Sequence, residues 1–259
     1  MMNGLVLADA RHLPVRDESV QVVLTSSPYW GQRDYEFDEQ MGVEDTYQGF
    51  IENMMLVARE VHRILKPEGV FWYNCGDTYN TRTVIRPSSH QGGLGHDSEN
   101  IRLSWSEARD RGLVRYSSRQ PGLKDKDLMG IPWRLSEAMV EDGWFLRVDV
   151  IWTKPWGAPE NAQDRPTRMH EYIFMFSKSP RYFYDKEACP EARTSVWDMA
   201  PGSGDGNRAV FPDELVRRCV LSSSRPGDVV YDPFCGSGTT QRVSNGLGRV
   251  GLGSDGRLW

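Results

Sequence analysis

Two stretches of the chain carry residue types suited to chemistry. Asp232 to Thr240 reads DPFCGSGTT, and its glycines Gly236 and Gly238 let the backbone turn tightly and approach a ligand with no Cβ in the way. Thr25 to Trp30 reads TSSPYW, which follows the apolar run Val20 to Leu24 (VQVVL). That run has the β-branched content of a buried strand, so the polar hexapeptide begins where the strand stops. In open α/β sheets that edge is where ligands bind. Each stretch also has a plainer reading: a glycine turn can simply start a helix, and a serine before proline usually caps a turn.

The elements that must position these stretches alternate as in an α/β protein. Strands are expected at Leu5 to Leu7, ending at Asp9, and at Val20 to Leu24. Phe50, Met54, Val57, Val61, Ile64 and Leu65 predict a helix over Thr46 to Leu65, stopped by a turn at Lys66 to Gly69 (KPEG). Val70 to Tyr73 follows as a strand. Residues 81–127 are polar, rich in glycine and serine, and without sustained period, which marks an inserted region. A helix over Leu128 to Glu141, capped by Asp127, then precedes strands Phe145 to Trp152 and Tyr172 to Phe176. Pro201 to Gly206 reads as a loop, Pro212 to Leu221 as a helix, and Val229 to Tyr231 as the strand that feeds the glycine turn.

Beyond that turn, an amphipathic helix and a strand Arg249 to Gly253, ending near Asp255, complete a βαβ pattern that binds a nucleoside-bearing cofactor. Asp255 is placed to accept hydrogen bonds from ribose hydroxyls. No G-x-x-x-x-G-K-[ST] is present, so the phosphate-cradling lysine is missing and a ligand without phosphates fits better.

A chain of 259 residues with 39% hydrophobic content can bury a full core, and one catalytic domain over 1–259 is expected. No apolar run approaches the roughly 18 to 20 residues that span a bilayer, and the N-terminus lacks the build of a signal peptide. A soluble, cytoplasmic protein is therefore expected. Cys75, Cys189, Cys219 and Cys235 lack metal-ligand spacing, so buried thiols and no metal site are expected. The net charge of -5 does not advertise a nucleic-acid binder. The charge is uneven, however, with basic residues in excess between Arg82 and Lys126 and a second mixed run from Lys154 to Arg168; such runs are commonly solvated surface.

Taken together, DPFCGSGTT after one strand and S-x-P-Y after another resemble the amino-group DNA methyltransferases that use S-adenosylmethionine. The order is that of their circularly permuted β class, in which the catalytic motif precedes the cofactor motif. LKPEG, GDTY at Gly76, DLMGIPWRL at Asp127, DRPTRMHEYIFMFSKS from Asp164 and FPDEL at Phe211 extend the resemblance over almost the whole chain. It is nearest to bacterial and phage members carrying TSPPYW, which are mostly cytosine-N4 methyltransferases. The resemblance implies a Rossmann-like class I methyltransferase sheet of α/β class, circularly permuted, with an inserted DNA-contacting region and neighbouring chain termini. It also implies that Asp232, Phe234, Gly236, Ser237, Gly238 and Thr239 line the methionine side of S-adenosyl-L-methionine. Asp255 is then expected at the ribose, Asp9 at the adenine, and Phe211 and Pro212 over the pocket.

For catalysis the resemblance implies Ser26, Ser27, Pro28 and Tyr29. The Ser26 hydroxyl and the main-chain carbonyl of Ser27 are expected to accept from the target amine, and Tyr29 to stack on a base flipped out of duplex DNA. The family has proline where this chain has Ser27; restoring it is expected to leave or raise activity. Trp30, Arg82, Arg86, Arg115, Arg119, Lys154, Trp156, Arg165, Arg168 and His170 are the expected DNA contacts, with His170 equally readable as a core histidine. Serine at 26 leans toward cytosine N4. Adenine N6, an RNA substrate and a catalytically weakened DNA-binding relative stay open. The expected partners are double-stranded DNA and a cognate restriction endonuclease, for a monomer or homodimer.

Overall fold

The computed structural model describes residues 5–34, 40–81, 83–87, 115–117, 120, 122–156, 162–202 and 212–256. The strands are β1 (Leu5–Leu7), β2 (Val20–Ser26), β3 (Arg33–Asp34), β4 (Leu65–Cys75), β5 (Thr83–Pro87), β6 (Arg115–Ser117), β7 (Phe145–Thr153), β8 (His170–Ser177), β9 (Val196–Asp198), β10 (Val229–Asp232) and β11 (Val250–Asp255). Among the described residues the helices are α1 (Tyr47–Ile64), α2 (Ile131–Glu141), α3 (Asp213–Ser223) and α4 (Thr239–Gly246). Eight strands form one sheet in the order β1-β11-β10-β2-β4-β8-β7-β9, and β8 runs antiparallel to its neighbours β4 and β7. β1 lies parallel to β11, with Leu7 opposite Asp255, so the first and last strands are neighbours as a permuted sheet requires.

Apolar residues fill both faces of this sheet. One face packs Val23, Phe71, Phe174 and Phe176 against Phe50, Met54 and Val61 of α1 and Leu135 of α2. The opposite face packs Leu24, Trp72 and Met175 against Leu215, Val216 and Val220 of α3. Central strands buried on both sides explain the near-continuous apolar runs VQVVL and VFWY. Truncating a fully buried ring such as Phe50 to alanine would cost about 3–5 kcal/mol.

Several expectations need correction. The helix expected from Leu128 starts at Ile131, and Asp127 does not cap it. Its N-terminus is capped from outside by Asp77, whose carboxylate accepts from the main-chain N–H of Gly130 at 3.2 Å and of Ile131 at 3.1 Å. KPEG is not a separate turn but an irregularity within β4, between the pairings of Leu65 with Val20 and Val70 with Val22. β9 was not expected at all; its Trp197 is buried against Trp72, with ring centroids 5.8 Å apart. Within the segment that shows no period, β5 and β6 pair and join β3 in a small second sheet.

Candidate active site

The sheet changes direction of growth at β10 and β2, and both sequence stretches leave the sheet there, at neighbouring strand ends. Asp232 ends β10 and is buried. Its Oδ1 accepts from the Thr25 hydroxyl at 2.6 Å and the Phe234 N–H at 3.1 Å, and its Oδ2 accepts from the Thr240 hydroxyl at 2.7 Å. Burial pushes its pKa up to about 6 against these lowering bonds, with the Asp255 charge adding to the rise. Asp232 therefore braces the turn from beneath. Cys235 is a buried packing thiol, pushed up to about 12 chiefly by burial; all four cysteines are buried.

Gly238 starts α4 with a left-handed φ of 85°, a conformation that favours glycine. At Gly236 an added Cβ would meet nothing within 4 Å, so the turn faces open space, and its N–H donates to Asp255 Oδ2 at 2.9 Å. Ser237 is exposed; Phe234 and Thr239 are half-buried. Asp9 follows β1 beside Asp255 and is held by Arg11, whose Nη2 lies 2.8 Å from Oδ2; despite partial burial its carboxyl is lowered by Arg11 and His12. Two carboxylates, Asp9 and Asp255, thus border an open, lysine-free glycine turn that Asp232 braces from beneath. That set of acceptors fits S-adenosyl-L-methionine, whose sulfonium and ammonium are cationic and whose ribose diol needs acceptors. Pro212 is buried ahead of α3, and Phe211 lies outside the described residues.

On the other side of the switch point, strand alternation sets Ser26, Asn74 and Glu171 on one face of β2, β4 and β8. The Ser26 hydroxyl donates to Asn74 Oδ1 at 3.1 Å. The Tyr29 hydroxyl donates to Glu171 Oε2 at 2.7 Å and lies 2.9 Å from Asn74 Oδ1. Asn74 Nδ2 donates to the Tyr172 carbonyl at 3.0 Å and to Glu171 Oε2 at 3.2 Å. Lys154 closes the chain with an ion pair to Glu171 Oε1. Burial first, then the Glu171 charge, raises the Tyr29 phenol well above its usual value, so it stays a donor.

Sequence reasoning missed Asn74, Glu171, Thr25 and Thr240. One signal was available: an asparagine inside the apolar strand VFWYNC is a buried polar group that must find partners. Ser27 is buried too, with its hydroxyl 2.7 Å from that of Tyr73. Gly76 lies flat against Tyr29, and a Cβ there would overlap the ring. Pro28 lies half-buried in the same turn.

The expected DNA contacts separate into groups. Trp30 is corrected: it is buried, donates its indole N–H to the Glu44 carbonyl at 3.0 Å, and belongs to the core. Lys154 is engaged with Glu171 and sits 4.5 Å over the Trp152 ring. Arg168 lies 3.5 Å from the buried carboxylate of Asp77 and is mostly buried itself. His170 stands edge-on to Tyr172, and burial lowers its pKa. Trp156 is 62% exposed, and the Arg165 guanidinium stacks 3.7 Å over Tyr79. Arg86 lies on β5 and Arg115 on β6; Arg82 and Arg119 lie outside the described residues.

The mixed sheet with one reversed strand, helices on both faces and a glycine turn at the switch point is the class I S-adenosylmethionine-dependent methyltransferase fold shared with its structural neighbours. Within that class, residues 20–257 match the model of the N6/N4 DNA methylase family, and the chain belongs to it. It is 41% identical over 249 residues to the Type II methyltransferase M.Cfr9I of Citrobacter freundii, spanning 92% of this chain and 77% of that one. It is 40% identical over 266 residues to M.SmaI of Serratia marcescens, spanning 96% and 85%. Its fold is similar to the cytosine-N4-specific PvuII DNA methyltransferase, with TM-score 0.70, 19% identity and coverage of 98% and 81%. It is also similar to a protein of Thermus thermophilus described as a putative DNA modification methylase and solved with S-adenosyl-L-methionine, with TM-score 0.65, 25% identity and coverage of 98% and 87%.

The protein is thus a site-specific DNA methyltransferase of the amino-methylating family, with S-adenosyl-L-methionine as its cofactor. Among the described residues no helix is long and apolar enough to cross a membrane.

Proposed function

We propose that the protein methylates the exocyclic N4 of cytosine in duplex DNA, by direct transfer to a base turned out of the helix. The observation that carries the reading is the Ser26 hydroxyl, which spends its one proton on Asn74 Oδ1. Its lone pairs are left to accept from an amine. S-adenosyl-L-methionine supplies an electrophilic methyl group on its sulfonium. Asp232, Phe234, Gly236, Ser237, Gly238 and Thr239 would hold its methionine end, Asp255 its ribose and Asp9 its adenine, under a lid formed by Phe211 and Pro212.

An exocyclic amine is a poor nucleophile because its lone pair is delocalised into the ring. Acceptance of its N–H groups by Ser26 Oγ and the Ser27 carbonyl favours a pyramidal nitrogen and stabilises the positive charge that grows on it. The Tyr29 ring, pinned through its hydroxyl and backed by Gly76, is the wall against which the flipped base stacks. No covalent enzyme intermediate is required. Serine at position 26 supports cytosine over adenine, and the PvuII neighbour indicates that this fold hosts cytosine-N4 chemistry.

Residues 81–127 form the DNA-recognition insertion in this reading, with Arg82, Arg86, Arg115 and Arg119 as its proposed DNA contacts. The exposure of Trp156 and the surface position of Arg165 support a second contact patch. The Type II naming of its relatives supports a cognate restriction endonuclease as partner, in a bacterial cytoplasm. Nucleoside mass spectrometry of DNA treated with protein and cofactor tests the reading.

A further inference from the structure

Glu171 enters the roles assigned above only as the group that pins the Tyr29 hydroxyl, yet three groups converge on it: that hydroxyl, the Asn74 amide and the Lys154 ammonium. Its side chain is only 18% exposed. A carboxylate so placed is costly unless it is paired and hydrogen-bonded, and this one is both. Asn74 is 1% exposed, and its amide has one workable orientation. Turned over, its oxygen would face the Tyr172 carbonyl and the Glu171 carboxylate, while its NH2 would face the Ser26 hydroxyl.

We propose that Glu171 is a positioning residue for methyl transfer: through Asn74 it carries negative charge to the Ser26 hydroxyl and fixes that hydroxyl as an acceptor. This rests on the reading of Ser26 as the acceptor of the target amine. The path is short. The Glu171 carboxylate accepts from Asn74 Nδ2 and draws electron density onto Asn74 Oδ1. That oxygen accepts from Ser26, and successive hydrogen bonds in a chain polarise one another in the same sense. The Ser26 oxygen then meets the charge growing on the amine as a stronger acceptor than an isolated hydroxyl. Lys154 pairs with Glu171 in its partly buried place. The plainer role, a structural ion pair with Lys154, requires the charge but not Asn74.

The two roles separate when the charge is moved one step along the chain. E171Q keeps the side-chain shape and removes the charge; N74D/E171Q returns a carboxylate at the position that bonds Ser26. Initial rates of methyl transfer to DNA, with KM for S-adenosyl-L-methionine and melting temperature, give the readout. E171Q is expected to lower kcat roughly tenfold or more, with KM for the cofactor within about twofold of wild type. N74D/E171Q is expected to recover most of that loss. Turnover of E171Q within about twofold of wild type overturns the proposal, as does a folded double variant no faster than E171Q. K154M/E171Q removes the ion pair without leaving a lone charge, so it tests the charge even where E171Q fails to fold. It should be as slow as E171Q, and wild-type turnover there also overturns the proposal. Rates count methyl groups on any base. Methyl found on adenine would contradict the cytosine reading while these rate ratios still decide on Glu171.

Discussion

The Thr25 hydroxyl donates to Asp232 Oδ1 at 2.6 Å, joining the strand that ends in the Ser-Ser-Pro-Tyr turn to the strand that ends in the glycine turn. This buried bond ties the proposed base side of the site to its cofactor side. Because Asp232 is enclosed, its pKa is raised to about 6 from 3.8. Folding therefore takes up a proton there: stability from this group is full below about pH 4 and is lost as pH rises through about 6. Asp232→Asn abolishes the titration, so its melting temperature should gain on wild type between about pH 4 and 7 and hold that gain above. Two units correspond to about 3 kcal/mol. Melting curves of the two cofactor-free proteins that stay parallel across this range would contradict the assignment.

Ser27 shares its hydroxyl with the buried Tyr73 phenol at 2.7 Å, which changes what a return to proline would do. Ser27→Pro removes the oxygen partner of Tyr73 and should cost about 1–3 kcal/mol of stability. Ser27→Pro with Tyr73→Phe should recover most of it, because both polar partners leave together. Urea denaturation of the four proteins measures the coupling; additive effects would show that the hydroxyl pair is not what replaces the proline ring.

Gly76→Ala should act on chemistry through Tyr29, whose ring occupies the space a Cβ needs. We expect turnover to fall by about tenfold or more while calorimetric affinity for S-adenosyl-L-methionine changes little. Ser26→Ala and Tyr29→Ala should show the same division, lowering turnover far more than cofactor binding. Comparable losses of cofactor affinity would place these residues on the other side of the site.

Arg168 and Arg165 are close in sequence and should differ in kind. Arg168 sits by Asp77, whose carboxyl is raised by burial despite its hydrogen bonds and this cation, and Asp77 caps α2. Arg168→Ala should lower stability by about 3 kcal/mol, as expected when a buried charge loses its partner. Arg165→Ala and Trp156→Ala should leave melting nearly unchanged and weaken DNA binding, and Arg165→Ala should also flatten its salt dependence. Equal melting temperatures for the two arginine variants would remove the distinction.

The two chemical turns and the strands feeding them were legible because each is local: apolar run, then glycines or Ser-Ser-Pro-Tyr, within ten residues. Contacts across the sheet were not. Asn74 and Glu171 are 97 positions apart, and Thr25 and Asp232 are 207 apart, so only the strand order brings them together. The cap of α2 was misread for the same reason. Asp127 stands beside the helix in sequence, but Asp77, 54 positions from Ile131, reaches the free N–H groups. Trp30 was misplaced because an aromatic after a catalytic turn reads equally as a base contact or as core, and burial decides for core.

The central claim is tested most directly by digesting mixed-sequence duplex DNA, after incubation with the protein and S-adenosyl-L-methionine, and identifying the modified nucleoside by mass spectrometry. The account predicts N4-methylcytosine, formed far more slowly in the Ser26→Ala reaction. N6-methyladenine in its place would keep the fold, cofactor and acceptor geometry but contradict the base assignment drawn from Ser26.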